Sequence, residues 1–144
     1  MSAKTIDQAI AALQKGDLKQ ATALFDKIRK KLTQPNHLHA CTVTYLQSGR
    51  PKDAQKMLKE LMPKVKVTPQ LLSLSGDIHK AQDNLSAAID DYRRATGLAP
   101  QVPELHYNLA LALFQISKTT EAKATIDKAL KIRSNYPKAL VLLG

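Results

Sequence analysis

Apolar residues recur along this chain at spacings of three and four, in paired runs. In residues 69–102 the first run is Leu72, Ser75, Gly76 and His79, and the second is Ala88, Tyr92 and Ala95. Such spacings put each set on one face of a helix. Between the runs, KAQDNLS supplies a turn, with Asn84 or Asp83 able to cap the following helix. Prolines punctuate the pattern: Pro35, Pro69, Pro103 and Pro137 stand 34 residues apart. A constant period of this size marks a stacked repeat. Proline fits the first turn of a helix, where its missing N–H has no partner to lose. It also pushes the residue before it away from helical angles. Each of the four is therefore predicted to open a helix and close what precedes it. The chain reads as all-α: helical pairs at about 2–34, 35–68, 69–102 and 103–136, with 137–144 beginning a fifth.

Laid over one another, these periods resemble the tetratricopeptide repeat, whose 34-residue helical pair carries a Trp-x2-Leu-Gly-x2-Tyr, Ala-x3-Phe, Pro signature. Residues 69–102 fit best. Leu72, Ser75, Gly76 and His79 take the first-helix slots, and Ala88, Tyr92, Ala95 and Pro100 the later ones. In 103–136 the slots hold His106, Leu109, Ala110, Leu113, Ala122, Ile126 and Ala129, with Ser134 in place of the late proline. In 35–68 they hold Leu38, Cys41, Thr42, Tyr45, Ala54, Leu58 and Leu61. Residues 2–34, one residue shorter, offer Ala9, Ala12, Ala21, Phe25 and Ile28. The resemblance implies an α-α superhelix, a solenoid of four helix-turn-helix repeats plus the first helix of a fifth, as a single domain over 1–144.

Two departures carry information. Pro63 falls where the second repeat's second helix should finish, so that helix is expected to end near Leu61–Met62 and leave KVKVT as an extended link. NYPKALVLLG starts a fifth repeat and stops, without the polar capping helix a solenoid needs. That ending is read as a fragment of a longer protein, and its uncapped helix, with Leu140, Val141 and Leu143, as a surface for a homodimer.

Composition narrows the function. The chain is 44% hydrophobic and 24% charged, with aromatics at 4% and no Trp, so the core must come from Leu, Ile, Val and Ala. No stretch approaches the ~20 apolar residues that cross a bilayer, so no membrane partner is expected. The lone Cys41 and the lack of an apolar secretion signal point to a cytoplasmic protein. The net charge of +10 is concentrated early: seven Lys and Arg against three acids in 1–34, and six against two in 35–68. That excess, KIRKK at 27–31 included, could attract nucleic acid. No aromatic or Gly-rich recognition motif accompanies it, so solvated helix faces are the preferred reading.

Catalytic chemistry is not expected. His37 and His39 are two apart and point in different directions on a helix. His79 and His106 occupy packing slots, and Cys41 a core slot. Asp90–Asp91 beside Arg93–Arg94 reads as a charged outer face with helical ion pairs. No phosphate loop, nucleophile elbow or zinc spacing appears, so neither cofactor nor metal is expected.

What remains is binding. Stacked helix pairs form a concave groove lined mainly by first helices. The face opposite the packing slots is Asn36, His39, Val43 and Gln47 in the second repeat, and Gln70, Ser73, Asp77 and Lys80 in the third. In the fourth it is Glu104, Tyr107, Asn108, Leu111 and Gln115. This mixed surface suits an extended segment or helix of a partner protein. One branch of the family clamps chaperone-tail carboxylates with Lys, Asn, Asn, Lys and Arg. The matching positions here are Ser73, Asp77, Asn108, Lys138 and Leu142, of which only Asn108 and Lys138 agree, and Asp77 would repel a carboxylate. The leading expectation is a protein-interaction scaffold. The alternative is the N-terminal, substrate-recruiting part of a larger enzyme of sulfotransferase or glycosyltransferase type.

Overall fold

The computed structural model describes residues 3–144, and among these there is no β-strand. The helices are α1 (Ala3–Lys15), α2 (Leu18–Ile28), α3 (Pro35–Gln47), α4 (Pro51–Leu61), α5 (Pro69–Ala81), α6 (Leu85–Leu98), α7 (Pro103–Gln115), α8 (Thr119–Ile132) and α9 (Pro137–Leu143). All four periodic prolines stand at the first position of a helix, as do their predicted roles, and Pro51 opens α4 in the same way. The residues before the four periodic prolines are extended, Gln34 at ψ 137° and Thr68 at ψ 161° among them, because the proline ring crowds helical angles there. The all-α helical repeat expected from the sequence is the fold observed.

Turns follow local chemistry. Gly16 and Gly49 adopt positive φ at the ends of α1 and α3, where a side chain would be strained. Asp17 and Asn84 then cap α2 and α6, accepting from the backbone N–H of Gln20 and Ala87. At the predicted break, α4 stops at Leu61 and a 3-10 turn, Met62–Lys64, takes up Pro63. Val65 is extended at φ −134° and ψ 161°.

This link ends the first of two compact units; unit one closes at Lys66 and unit two spans Val67–Gly144. In unit one, α1 packs on α2 and α3 on α4, while α2 also meets α3. Its interior is Ala9, Ala12, Phe25, Leu38, Cys41, Tyr45 and Leu61, all nearly inaccessible. The buried Thr42 hydroxyl donates to the Leu38 carbonyl at 2.8 Å, so it costs no unmet hydrogen bond.

In unit two, α5 packs on α6, α6 on α7, α7 on α8 and α8 on α9. One cluster joins Ala88, Ile89, Tyr92, Leu109, Leu113 and Ala122, and a second joins Ala110, Ile126, Ala129, Tyr136 and Ala139. Small residues set the approach. A Cβ at Gly76 would lie 2.5 Å from Cε1 of Tyr92, so α5 and α6 can close to this distance only with glycine there. The repeat slots predicted to pack are buried with four exceptions: Ser75 and His79 are half-buried, and Pro100 and Ser134 are exposed.

Candidate functional site

In unit two the first helices α5 and α7 place their predicted lining residues on neighbouring faces. Asn108 Nδ2 donates to Ser73 Oγ at 3.3 Å, joining the two faces directly. Lys80 and Leu111 are half-buried, and Gln70 and Gln115 are exposed. Three other candidates have intramolecular work. Asp77 Oδ1 accepts from the hydroxyl of buried Tyr92. Burial pushes the Asp77 carboxyl above its ordinary value, while the Tyr92 bond and the Lys80 charge pull it back. Glu104 pairs with Arg133 at 3.0 Å. Tyr107 packs on Tyr136 with ring centroids 5.7 Å apart, within the usual range for a tilted aromatic pair.

Unit one presents a simpler row on α3: Asn36, His39 and Gln47 are exposed and Val43 is half-buried. Its charged groups gather elsewhere, around Tyr45, a slot whose spacing predicts only packing. The Tyr45 hydroxyl donates to Asp26 at 2.7 Å. Arg50 bonds both Asp26 and Asp53 at 2.9 Å, and Arg29 bonds Asp53 at 2.8 Å. Both guanidinium groups also lie over the Tyr45 ring, 4.6 and 5.4 Å from its centroid. Arg50 holds the Asp26 carboxyl below its ordinary value, and Arg29 does the same for Asp53. The one sequence signal for this ring of charge was the Arg50–Asp53 spacing at the start of α4.

The outer-face reading of Asp90–Asp91 needs correcting. Asp91 turns toward α5, where its Oδ2 accepts from Ser75 Oγ at 2.7 Å and bonds His79 Nδ1 at 2.8 Å. Arg93 pairs not within its own helix but with Glu121 on α8, at 2.7 Å. His106 is buried, with its Nε2–H donated to the Pro100 carbonyl at 2.8 Å; the carbonyl can only accept, which fixes the donor. Cys41 is inaccessible, and burial pushes its thiol up to about 12, which keeps it protonated and unreactive. Among the described residues no group of three or more His, Cys, Asp or Glu is arranged to hold a metal. No described helix is long and apolar enough to cross a membrane.

With the hairpins, their proline starts and the Gly76–Tyr92 contact established, comparison with known proteins is direct. Residues 76–117 match the family described as TPR repeat, and residues 103–136 the one described as Tetratricopeptide repeat. The chain carries tetratricopeptide repeats. Among curated relatives, it is 33% identical over 104 residues to the Formate-dependent nitrite reductase complex subunit NrfG of Escherichia coli O157:H7, covering 68% of this chain and 52% of that protein. It is 28% identical over 114 residues to the Cellulose synthase operon protein C of Pseudomonas fluorescens (strain SBW25), covering 74% of this chain but 9% of that one. These tetratricopeptide repeats thus span about half of one relative and a small part of the other. Among solved structures, MamA matches with a TM-score of 0.81 at 22% identity, over 96% of this chain and 76% of that one. YrrB, described as a TPR protein with an unusual peptide-binding site, matches with a TM-score of 0.75 at 15% identity, over 99% of this chain and 74% of that one. At such identities the likeness establishes the fold.

Proposed function

We propose that this chain is a protein-interaction module whose first-helix faces receive an extended segment or helix of a partner protein. The observation that carries this reading is the Asn108–Ser73 bond, which joins the α5 and α7 faces across two repeats. Around it lie Lys80, Leu111, Gln70 and Gln115, a mixture of charge, apolar surface and amides. Amide side chains can bond a peptide backbone, while Leu111 offers a contact for an apolar anchor. The peptide-binding site named for YrrB supports the same kind of ligand here. In unit one the row Asn36, His39, Val43 and Gln47 serves the same role on α3. Asp77, Glu104 and Tyr107 act within this reading mainly by holding the helices in register.

The test is capture of the native partner from its own cell extract by wild type and by a Lys80→Glu, Leu111→Arg variant. Both positions are only half-buried, so the variant should keep its helical circular dichroism. Loss of capture by about tenfold or more is expected for residues at the centre of an interface. Equal capture by a folded variant overturns the assignment. Sedimentation of the same preparation bears on self-association through α9, where Val141 is 81% exposed; a monomer at every concentration rules that out.

A second reading, the recruiting segment of a larger enzyme, draws on the 9% share of the cellulose synthase operon protein that this chain spans. The two readings share the same binding faces and differ in what those faces serve.

A further inference from the structure

Unit two contains a cleft that the first-helix faces do not explain. It lies between α6 and α8, holds about 520 Å³, and is lined by Arg93, Gly97, His106, Lys128, Lys131 and Ile132 among others. Lys128 and Lys131 stand one turn apart on α8, and Arg93 joins them from α6. No carboxylate is among the lining residues. Arg93 shares its charge with Glu121, but neither lysine has an ion-pair partner among the described residues.

The remaining wall is uncharged. Ile132 is 39% exposed, and Pro100 adds a second apolar side chain to the lining. Gly97 leaves open space, since a Cβ there would meet nothing within 4 Å. Below them the His106–Pro100 bond fixes the connection between α6 and α7. The volume falls in the range of about 300–1,000 Å³ common for ligand sites.

Cations beside an aliphatic wall match a ligand that carries both an anion and an apolar group. Inorganic phosphate would use the lysines alone. A single-stranded nucleic acid would want exposed aromatic rings for its bases to stack on, and the one aromatic ring in the lining, His106, is buried and bonded to the Pro100 carbonyl. An acidic side chain flanked by leucine uses both parts of the wall. We propose that this cleft is a second docking site, distinct from the α5 and α7 faces, for an acidic, leucine-flanked segment of a partner protein.

The experiment is a fluorescence anisotropy titration of the full chain with a labelled peptide of alternating Glu and Leu. Binding is expected to weaken by about tenfold or more in Lys128→Glu, Lys131→Glu, because the charge complementarity reverses. Gly97→Leu fills the cleft without changing charge, at a helical position where space is open, and is expected to weaken binding by about fivefold or more. Leu111→Arg on α7 should leave this binding unchanged, which separates it from the first-helix reading. Circular dichroism confirms that each variant is folded. The proposal is overturned if the peptide does not bind, or if both cleft variants bind like wild type. It is equally overturned if a Glu-Ser peptide, inorganic phosphate or oligo-dT binds as well as the Glu-Leu peptide.

Discussion

Each unit has one buried tyrosine whose hydroxyl donates to an aspartate on a neighbouring helix, yet the two pairs behave oppositely. In unit one, Tyr45 on α3 reaches Asp26 on α2, and two arginines crowd around ring and carboxylate. Arg50 makes Asp26 a stronger acid than usual. In unit two, Tyr92 on α6 reaches Asp77 on α5, and burial makes Asp77 a weaker acid than usual despite the Tyr92 bond and the Lys80 charge. The same hydrogen bond therefore sits in a ring of charge in one unit and against an apolar interior in the other. The surroundings, not the pair, set the electrostatic sign.

The largest expected effect breaks the packing side of this contrast. Gly76→Ala drives a Cβ into the buried Tyr92 ring, and overpacking of this kind costs roughly 1–3 kcal/mol. Unit one holds Thr42 in the same slot, so it tolerates a side chain there. Urea unfolding should show the loss, and amide exchange should quicken in α5 and α6. Unchanged exchange in those helices would contradict the close approach as a stability determinant.

Acid should separate the units next. Asp26 and Asp53 have folded-state values below 3.8. Their contribution is present above the unfolded value and is lost as pH falls through the lowered ones, so unit one weakens in strong acid. Asp77 lies above 3.8, and its sign is reversed. Protonation as pH falls toward 3.8 favours the folded form, so unit two gains stability over that interval. Amide exchange followed from neutral to acid pH should show α5 and α6 protected before α2 and α4 begin to open. A parallel response of both units would remove the electrostatic distinction.

The smallest effect sharpens the charge ring itself. Arg50 is 34% exposed at its side chain, and such partly solvated pairs contribute about 0–1 kcal/mol. Arg50→Ala should therefore barely move the unfolding midpoint. Carboxyl NMR should nevertheless show Asp26 titrating at higher pH than in wild type. An unmoved Asp26 would mean that Arg50 is not what lowers it.

The parts legible in the sequence were those fixed by local rules. The starts of α3, α5, α7 and α9 followed from proline, the capping of α6 from Asn84, and the end of α4 from Pro63. The buried slots followed from the three-and-four spacing. The candidate binding faces were legible as helix faces, but their internal commitments were not. Nothing along the chain says that Asp77 is held by Tyr92, or that Asp91 leaves the charged pair beside it to bond Ser75 and His79. Those partners are 12 to 16 residues away, beyond the reach of any helical spacing rule.

The amino-acid order alone determined the repeat, the helices and which side of each is apolar, because backbone sterics and hydrophobic spacing act over one or two turns. Only the folded chain decided how the charges pair and where open surface is left: the Arg29–Asp53–Arg50–Asp26 ring, and the lysine-lined cleft between α6 and α8. Both gather side chains from different helices, and electrostatic partnership depends on distance in space and on local exclusion of water.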